Sequence, residues 1–187
     1  MNNTIIELLG AFIGLVFIIL EYRASKWLWF AGIVMSLFYI YIWYVGDCYA
    51  WALIYLYYLG ANIYGVYSWK KNSSDSNESG ITNLPKKHYL PLAILTVCLI
   101  PVIFVIVYFF TETKIPISES VSTALSIIGM WLLAKKYLQH WNVWLIVNPI
   151  TALGSFYIGL YYSAALFTVF TVIAVMGLVR WRKLAGE

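Results

Sequence analysis

Seven apolar runs, each close to the length that crosses a bilayer, lie at residues 4–20, 27–44, 48–69, 89–110, 117–134, 141–158 and 162–180. A spanning helix takes about 20 residues, so these runs account for most of the 187-residue chain. In hydrocarbon the backbone must satisfy its own hydrogen bonds, and continuous runs do this as helices. The sequence therefore predicts an all-α integral membrane protein with seven transmembrane helices. An apolar share of 63%, a charged share of 11% and a mean hydropathy of +0.81 leave no room for a soluble catalytic domain. The first run has no basic stretch before it and no small-x-small site closing it, so it is read as a span and not as a signal peptide.

Charge sets an expected orientation. With seven spans, the odd-numbered loops and the C-terminal segment share one side and hold 11 of the 12 Lys and Arg residues, with Lys114 alone on the other. The positive-inside rule then predicts a cytoplasmic C-terminus and an external N-terminus. It also accounts for the net charge of +4 without nucleic acid as a partner. The two cysteines, Cys48 and Cys98, are expected at different depths, as packing residues and not as a disulfide.

The polar stretch Asn72 to Gly80 (NSSDSNESG) divides the chain. The blocks on either side resemble each other. Tyr44-x-Gly46-x-x-Tyr49-x-x-Ala52 matches Tyr157-x-Gly159-x-x-Tyr162-x-x-Ala165 at an offset of 113, and Gly65-x-x-x-Trp69 matches Gly177-x-x-x-Trp181 at 112. The predicted organisation is a three-helix repeat (1–71), a cytoplasmic linker (72–88), a connecting helix (89–110) and a second three-helix repeat (111–187). One intervening helix gives both repeats the same orientation, a 3+1+3 arrangement of parallel repeats.

The aromatic share, 19% with 9 Trp and 16 Tyr, exceeds what two interfacial belts require on a chain this small. The sixth run opens with Trp141-x-x-Trp144-x-x-x-Asn148-Pro149, which sets two indoles and a carboxamide at i, i+3 and i+7. Two readings stay open. The three line a path for a ligand, or Trp141 belongs to a belt, Asn148 joins helices and Pro149 makes a kink. The third run carries Trp51, Tyr55, Tyr58 and Asn62 at helical spacing, and the second carries Ser36, Tyr39 and Trp43. Aromatic faces suit a flat cation, each contact contributing about 0.5–2 kcal/mol; the same side chains also fill helix interfaces.

The acids fall near span ends: Glu21 on the inner side, Asp47 at an outer turn, and Glu119 just inside the fifth run, where it either attracts a cation or is a solvated loop acid. No carboxylate is expected near the midplane, which points away from a coupled pump and toward facilitated diffusion. Enzyme chemistry finds no support. His88 and His140 lack a second ligand at metal spacing, no nucleophile motif or phosphate-cradling glycine loop is present, and nothing calls for a cofactor. The seventh run has no mid-helix Lys for a retinal-type chromophore.

The stretch from Leu125 to Asn148 (LSIIGMWLLAKKYLQHWNVWLIVN), together with Ala61-Asn62-Ile63-Tyr64-Gly65, resembles the PnuC family of bacterial vitamin transporters. The resemblance covers both repeats. It implies the 3+1+3 fold in the bacterial inner membrane and facilitated diffusion of an unphosphorylated vitamin, trapped afterwards by a cytoplasmic kinase. It also implies ligand contact by Trp141, Trp144 and Asn148, with a less direct match at Asn62. Assembly as a homo-oligomer, a trimer, is a further expectation. Tyr55 stands where nicotinamide riboside carriers of the family resemble one another in having Gln. A phenol there offers a π face in place of a carboxamide. Thiamine, an aromatic cation, is therefore the preferred substrate at this stage, with nicotinamide riboside or riboflavin as alternatives and a non-transporting membrane subunit as the competing class.

Overall fold

The computed structural model describes residues 3–45, 49–72 and 80–186. Gly46, Asp47, Cys48 and most of the polar linker (73–79) lie outside the described residues. Seven helices follow in order: α1 (Asn3–Tyr22), α2 (Trp27–Val45), α3 (Tyr49–Asn72), α4 (Tyr89–Phe110), α5 (Pro116–Ala134), α6 (His140–Tyr157) and α7 (Tyr161–Leu184). A 3-10 turn, Lys86–His88, leads into α4. Each boundary falls within a few residues of an apolar run, because charged and turn residues end the runs where the helices end.

Four of these segments are long and apolar enough to cross a membrane on length and composition alone: α2, α4 with its 3-10 turn, α5 and α7. The described part of α1 is a shorter apolar helix. α3 and α6 fall below that hydropathy because they carry many Tyr and polar residues, of which Tyr55, Tyr58, Asn62, Asn148, Thr151 and Ser155 lie in the interior. The chain is a multi-pass membrane protein.

The helices close into a ring. α1 packs on α2, α2 on α3, α3 on α5, α5 on α6, α6 on α7, and α7 returns to α1. α4 stands outside, against α5 and touching α3, with Leu90, Val97 and Phe109 exposed. This pattern is consistent with two three-helix units joined by a connecting helix. Cys98, expected to be a packing residue, is a free, exposed thiol on α4. That helix has one packed face, and position 98 lies off it.

The repeat extends to individual hydrogen bonds. α1 ends with Ala24 at φ 51°, Ala24 N donating to Glu21 O (2.9 Å) and Ser25 N to Leu20 O (2.9 Å). α5 ends with Lys136 at φ 56°, Lys136 N donating to Leu133 O (2.9 Å) and Tyr137 N to Leu132 O (2.9 Å). Both are Schellman caps, with a left-handed residue freeing the chain to turn. Every partner is displaced by 112 residues.

At this end of the ring, which carries Arg23, Lys26, Lys135, Lys136 and Arg180 and is called the basic end below, four indoles form a plug. Trp29 meets Trp69 edge to face at 5.5 Å, and Trp141 meets Trp181 at 5.9 Å. Trp69 Nε1 donates across the units to Leu133 O (3.1 Å), and Trp181 Nε1 donates to Glu21 O (3.1 Å). Trp29 lies on Gly65 and Trp141 on Gly177, where a Cβ on either glycine would overlap the indole. These pairs again keep the 112 offset. Chain from the far side of the linker reinforces the end: Thr82 N donates to Lys136 O and Leu138 N donates to Thr82 O.

Candidate functional site

The ring leaves a cavity of about 390 Å³ at its centre. It reaches the end opposite the plug, where Ile115, Ile158 and Leu160 line it, and runs inward to Phe17, Gly32, Met130 and Trp144. Its size lies within the range of small-molecule sites.

α3 contributes Trp51, Tyr55, Tyr58 and Asn62, one helical face read at i, i+4, i+7 and i+11. Asn62 is buried. Its Nδ2 donates to Tyr58 O (2.7 Å) and to Ser36 Oγ (3.3 Å), and Ser36 Oγ donates in turn to Gly32 O (2.8 Å). The carboxamide fits because α2 has glycine beside it; a Cβ at Gly32 would overlap the Asn62 side chain. With its donors spent on the protein, Asn62 leaves Oδ1 buried and without a partner among the described residues.

The facing wall is rich in hydroxyls. α5 supplies Ser118, Glu119, Ser122, Thr123 and Ser126, and α6 supplies Trp144, Val147, Thr151 and Ser155. Tyr58 hydrogen-bonds Ser126, and Thr151 Oγ1 donates to Val147 O (2.9 Å). Glu119 hydrogen-bonds Thr113, yet its Oε2 is buried with no partner among the described residues. Among the described residues no Lys, Arg or His lines the cavity, and Glu119 is its one acidic side chain. A chamber whose walls hold two buried acceptors without partners among the described residues, one of them on a carboxyl group, suits a ligand with donor groups and a positive charge.

Of the residues singled out from the sequence, the cavity brings together Ser36, Tyr55, Tyr58, Asn62, Glu119 and Trp144. Tyr39 and Trp43 stand one layer behind. Tyr39 stacks on Tyr55 (4.8 Å, 20° between planes), and Trp43 lies 6.1 Å from Trp51. The expected stripe on α6 divides. Trp141 is fully buried in the plug, and Asn148 is buried outside the lining. The reason is angular: at about 100° per residue, positions 144, 147, 151 and 155 centre roughly 75° round the helix from Trp141, whereas Asn148 lies only about 20° from it.

Two features escaped the sequence reading. The stripe Ser118, Ser122, Ser126 at i, i+4 and i+8 was visible there as small polar residues inside an apolar run. Glu21 is not the inner-side loop acid its position suggests. It is 1% exposed, its Oε1 accepts from Trp144 Nε1 at 2.7 Å and lies 3.2 Å from His140 Nε2, and its backbone carbonyl accepts from Trp181. Its burial was not foreseen: at a span end, away from the midplane where no carboxylate was expected, Glu21 is covered by α6 and α7, which meet α1 only through the closure of the ring.

The sequence profile of the family described as nicotinamide mononucleotide transporter matches residues 4–183. The chain is similar to the nicotinamide riboside transporter PnuC of Escherichia coli (strain K12), with 28% identity over 156 residues, covering 68% of this chain and 64% of that protein. The protein of the same name from Shigella flexneri gives the same figures. The chain thus spans slightly less than two thirds of the length of these curated relatives. Its fold is similar to that in a crystal structure of the vitamin B3 transporter PnuC, with a TM-score of 0.72 at 18% identity over 95% of this chain and 80% of the other.

Proposed function

We propose that this chain, which belongs to the nicotinamide mononucleotide transporter family, carries an unphosphorylated, positively charged aromatic vitamin across the bacterial inner membrane by facilitated diffusion. The observation that carries this reading is the charge of the cavity. Its described walls hold Glu119 and no Lys, Arg or His, so a phosphate would enter a chamber with no cation among them to neutralise it. A nucleoside or a free vitamin fits; a mononucleotide does not.

Nicotinamide riboside is the substrate the relatives support, since the two curated relatives are named as its transporters. The preference for thiamine drawn from the sequence finds no such support. It stays as a second reading on one observation: Tyr55 presents a ring, backed by Tyr39, on the cavity wall. In this proposal Trp144 and the Tyr55–Tyr58 pair stack on the ligand ring, Asn62 Oδ1 and Glu119 accept from its donors, and Ser36 holds Asn62 in place. Trp141, Asn148, Tyr39 and Trp43 support that lining from behind. The distribution of Lys and Arg makes the basic end cytoplasmic, so the cavity opens outward and the plug closes the inner side. Phosphorylation by a cytoplasmic kinase would keep the product inside.

Uptake into vesicles lacking ATP and ion gradients tests the reading, alongside titration of intrinsic Trp fluorescence. Nicotinamide riboside is expected to accumulate to equilibrium and quench the emission, and the mononucleotide to bind at least about tenfold more weakly, the least expected from an uncompensated buried charge. Binding of the mononucleotide as tight as that of the riboside, or no uptake of any vitamin tested, refutes it.

A further inference from the structure

We infer that Glu21 is the positioning residue that ties the cavity wall to the closed basic end, so that Trp144 senses the ligand and Glu21 passes that state to the plug. The inference rests on the transport reading only in treating opening of the basic end as a step of transport.

Three contacts converge on this one residue. Glu21 Oε1 accepts from Trp144 Nε1, whose ring lines the cavity; the same oxygen lies 3.2 Å from His140 Nε2; and Glu21 O accepts from Trp181 Nε1, a member of the plug. His140 Nδ1 is 2.8 Å from the Tyr137 carbonyl, which accepts only, so Nδ1 carries a proton. Nε2 then lies at ion-pair distance from the carboxylate, without the alignment of a hydrogen bond. Both residues are essentially inaccessible.

The repeat supplies the control. Displaced by 112 residues, the counterpart of Glu21 is Leu133, that of His140 is Leu28, and that of Trp144 is Gly32. The structural duty of the position, accepting an indole N–H from the other unit, is met in both copies by a backbone carbonyl: Glu21 O from Trp181 and Leu133 O from Trp69. The fold therefore does not need a carboxylate here. A buried acid is expensive inside a membrane protein, and this one appears only in the copy where its side chain reaches a cavity-lining indole. The interface it serves, α1 against α7, is one of two at which the units meet, the other being α3 against α5. Separation of the units at the basic end breaks the Trp181 bond and the Glu21–Trp144 bond spans the same seam, so a ligand that draws the Trp144 ring toward itself weakens the seam from inside.

The test needs no ligand. The full chain, with Cys48→Ser and Cys98→Ser and a reporter Ala174→Cys, is placed in liposomes. Ala174 is fully buried on α7 beside the plug. A membrane-impermeant maleimide is applied from the basic end. E21L, which installs the residue of the other repeat, and W144F, which keeps the ring and removes the N–H, should each speed labelling by about tenfold or more, the change that losing one charge-assisted hydrogen bond implies. The double variant should be no faster than the faster single, because both remove the same contact. Unchanged labelling in E21L, or effects of E21L and W144F that multiply, overturns the inference. E21A carries the same cycle if E21L does not fold. Absence of vitamin uptake in the parent protein would count against the proposed function and leave the labelling result standing.

Discussion

Removing the Asn62 carboxamide separates a binding role from a packing role. In the protein Asn62 makes two donor contacts, to Tyr58 O at 2.7 Å and to Ser36 Oγ at 3.3 Å. The second is long, so together they contribute about 1–2 kcal/mol. Against this, Oδ1 is buried without a partner among the described residues, which costs about 1–3 kcal/mol in the ligand-free state. In Asn62→Ala the two terms largely cancel, and the ligand-free protein should unfold within about 1 kcal/mol of the parent, less whatever small void is left. Binding has no such cancellation. The ligand donor that would satisfy Oδ1 loses its partner, a penalty of about 1–3 kcal/mol, or roughly 5- to 150-fold in Kd. Denaturation in detergent without ligand and fluorescence titration with nicotinamide riboside measure the two quantities on one preparation. A large loss of stability with unchanged Kd would make Asn62 a helix-joining residue and refute the assignment.

Further outcomes follow from the same geometry. Gly32→Ala places a methyl group against the Asn62 side chain and should weaken binding by displacing it, whereas Gly60→Ala, where a Cβ meets nothing, should leave Kd unchanged in the same titration. Gly177→Ala drives a Cβ into the Trp141 ring and should destabilise the protein by about 1–3 kcal/mol, the usual cost of overpacking, as read by thermal unfolding. Glu119→Gln should weaken a cationic vitamin by about 5- to 30-fold while sparing an uncharged analogue of similar shape; equal losses for both would assign Glu119 to structure. Ala24 sits at φ 51°, so Ala24→Gly should stabilise the α1 cap by about 1 kcal/mol, and a lowered unfolding temperature would contradict that account.

The helices and their limits were legible because a span announces itself by length. α3 and α6 were legible by flanking charge even though their hydropathy is the poorest of the seven. The repeat was legible at Gly65–Trp69 and Gly177–Trp181, where both copies kept residues that do the same mechanical work. What escaped depends on rotation and closure. An i, i+3, i+7 pattern fixes a face only to within the width of an indole, so Trp141 and Trp144 read as one stripe although they face different interiors. Glu21 read as a terminal acid because the residues that bury it, His140, Trp144 and Trp181, are more than a hundred positions away and arrive only when α7 closes on α1. Tyr55 kept its place in the cavity wall, but a phenol at one position does not by itself select between two flat cations.

The ring also has a consequence for how many ways a ligand can sit in it. Two identical halves would offer an unsymmetrical molecule two equivalent poses, a degeneracy worth about 0.4 kcal/mol of entropy but one that leaves the bound state without a single orientation. Here the copies agree in the plug, where Trp29 matches Trp141 and Trp69 matches Trp181, and disagree around the chamber, where Asn62 is matched by Ala174, Gly32 by Trp144, and Tyr55 and Tyr58 by Phe167 and Phe170. A molecule turned half a revolution about the axis would exchange a carboxamide for a methyl group and an indole for a bare glycine. The duplicated shell thus encloses a chamber with one heading, and any vitamin it accepts is read from one end.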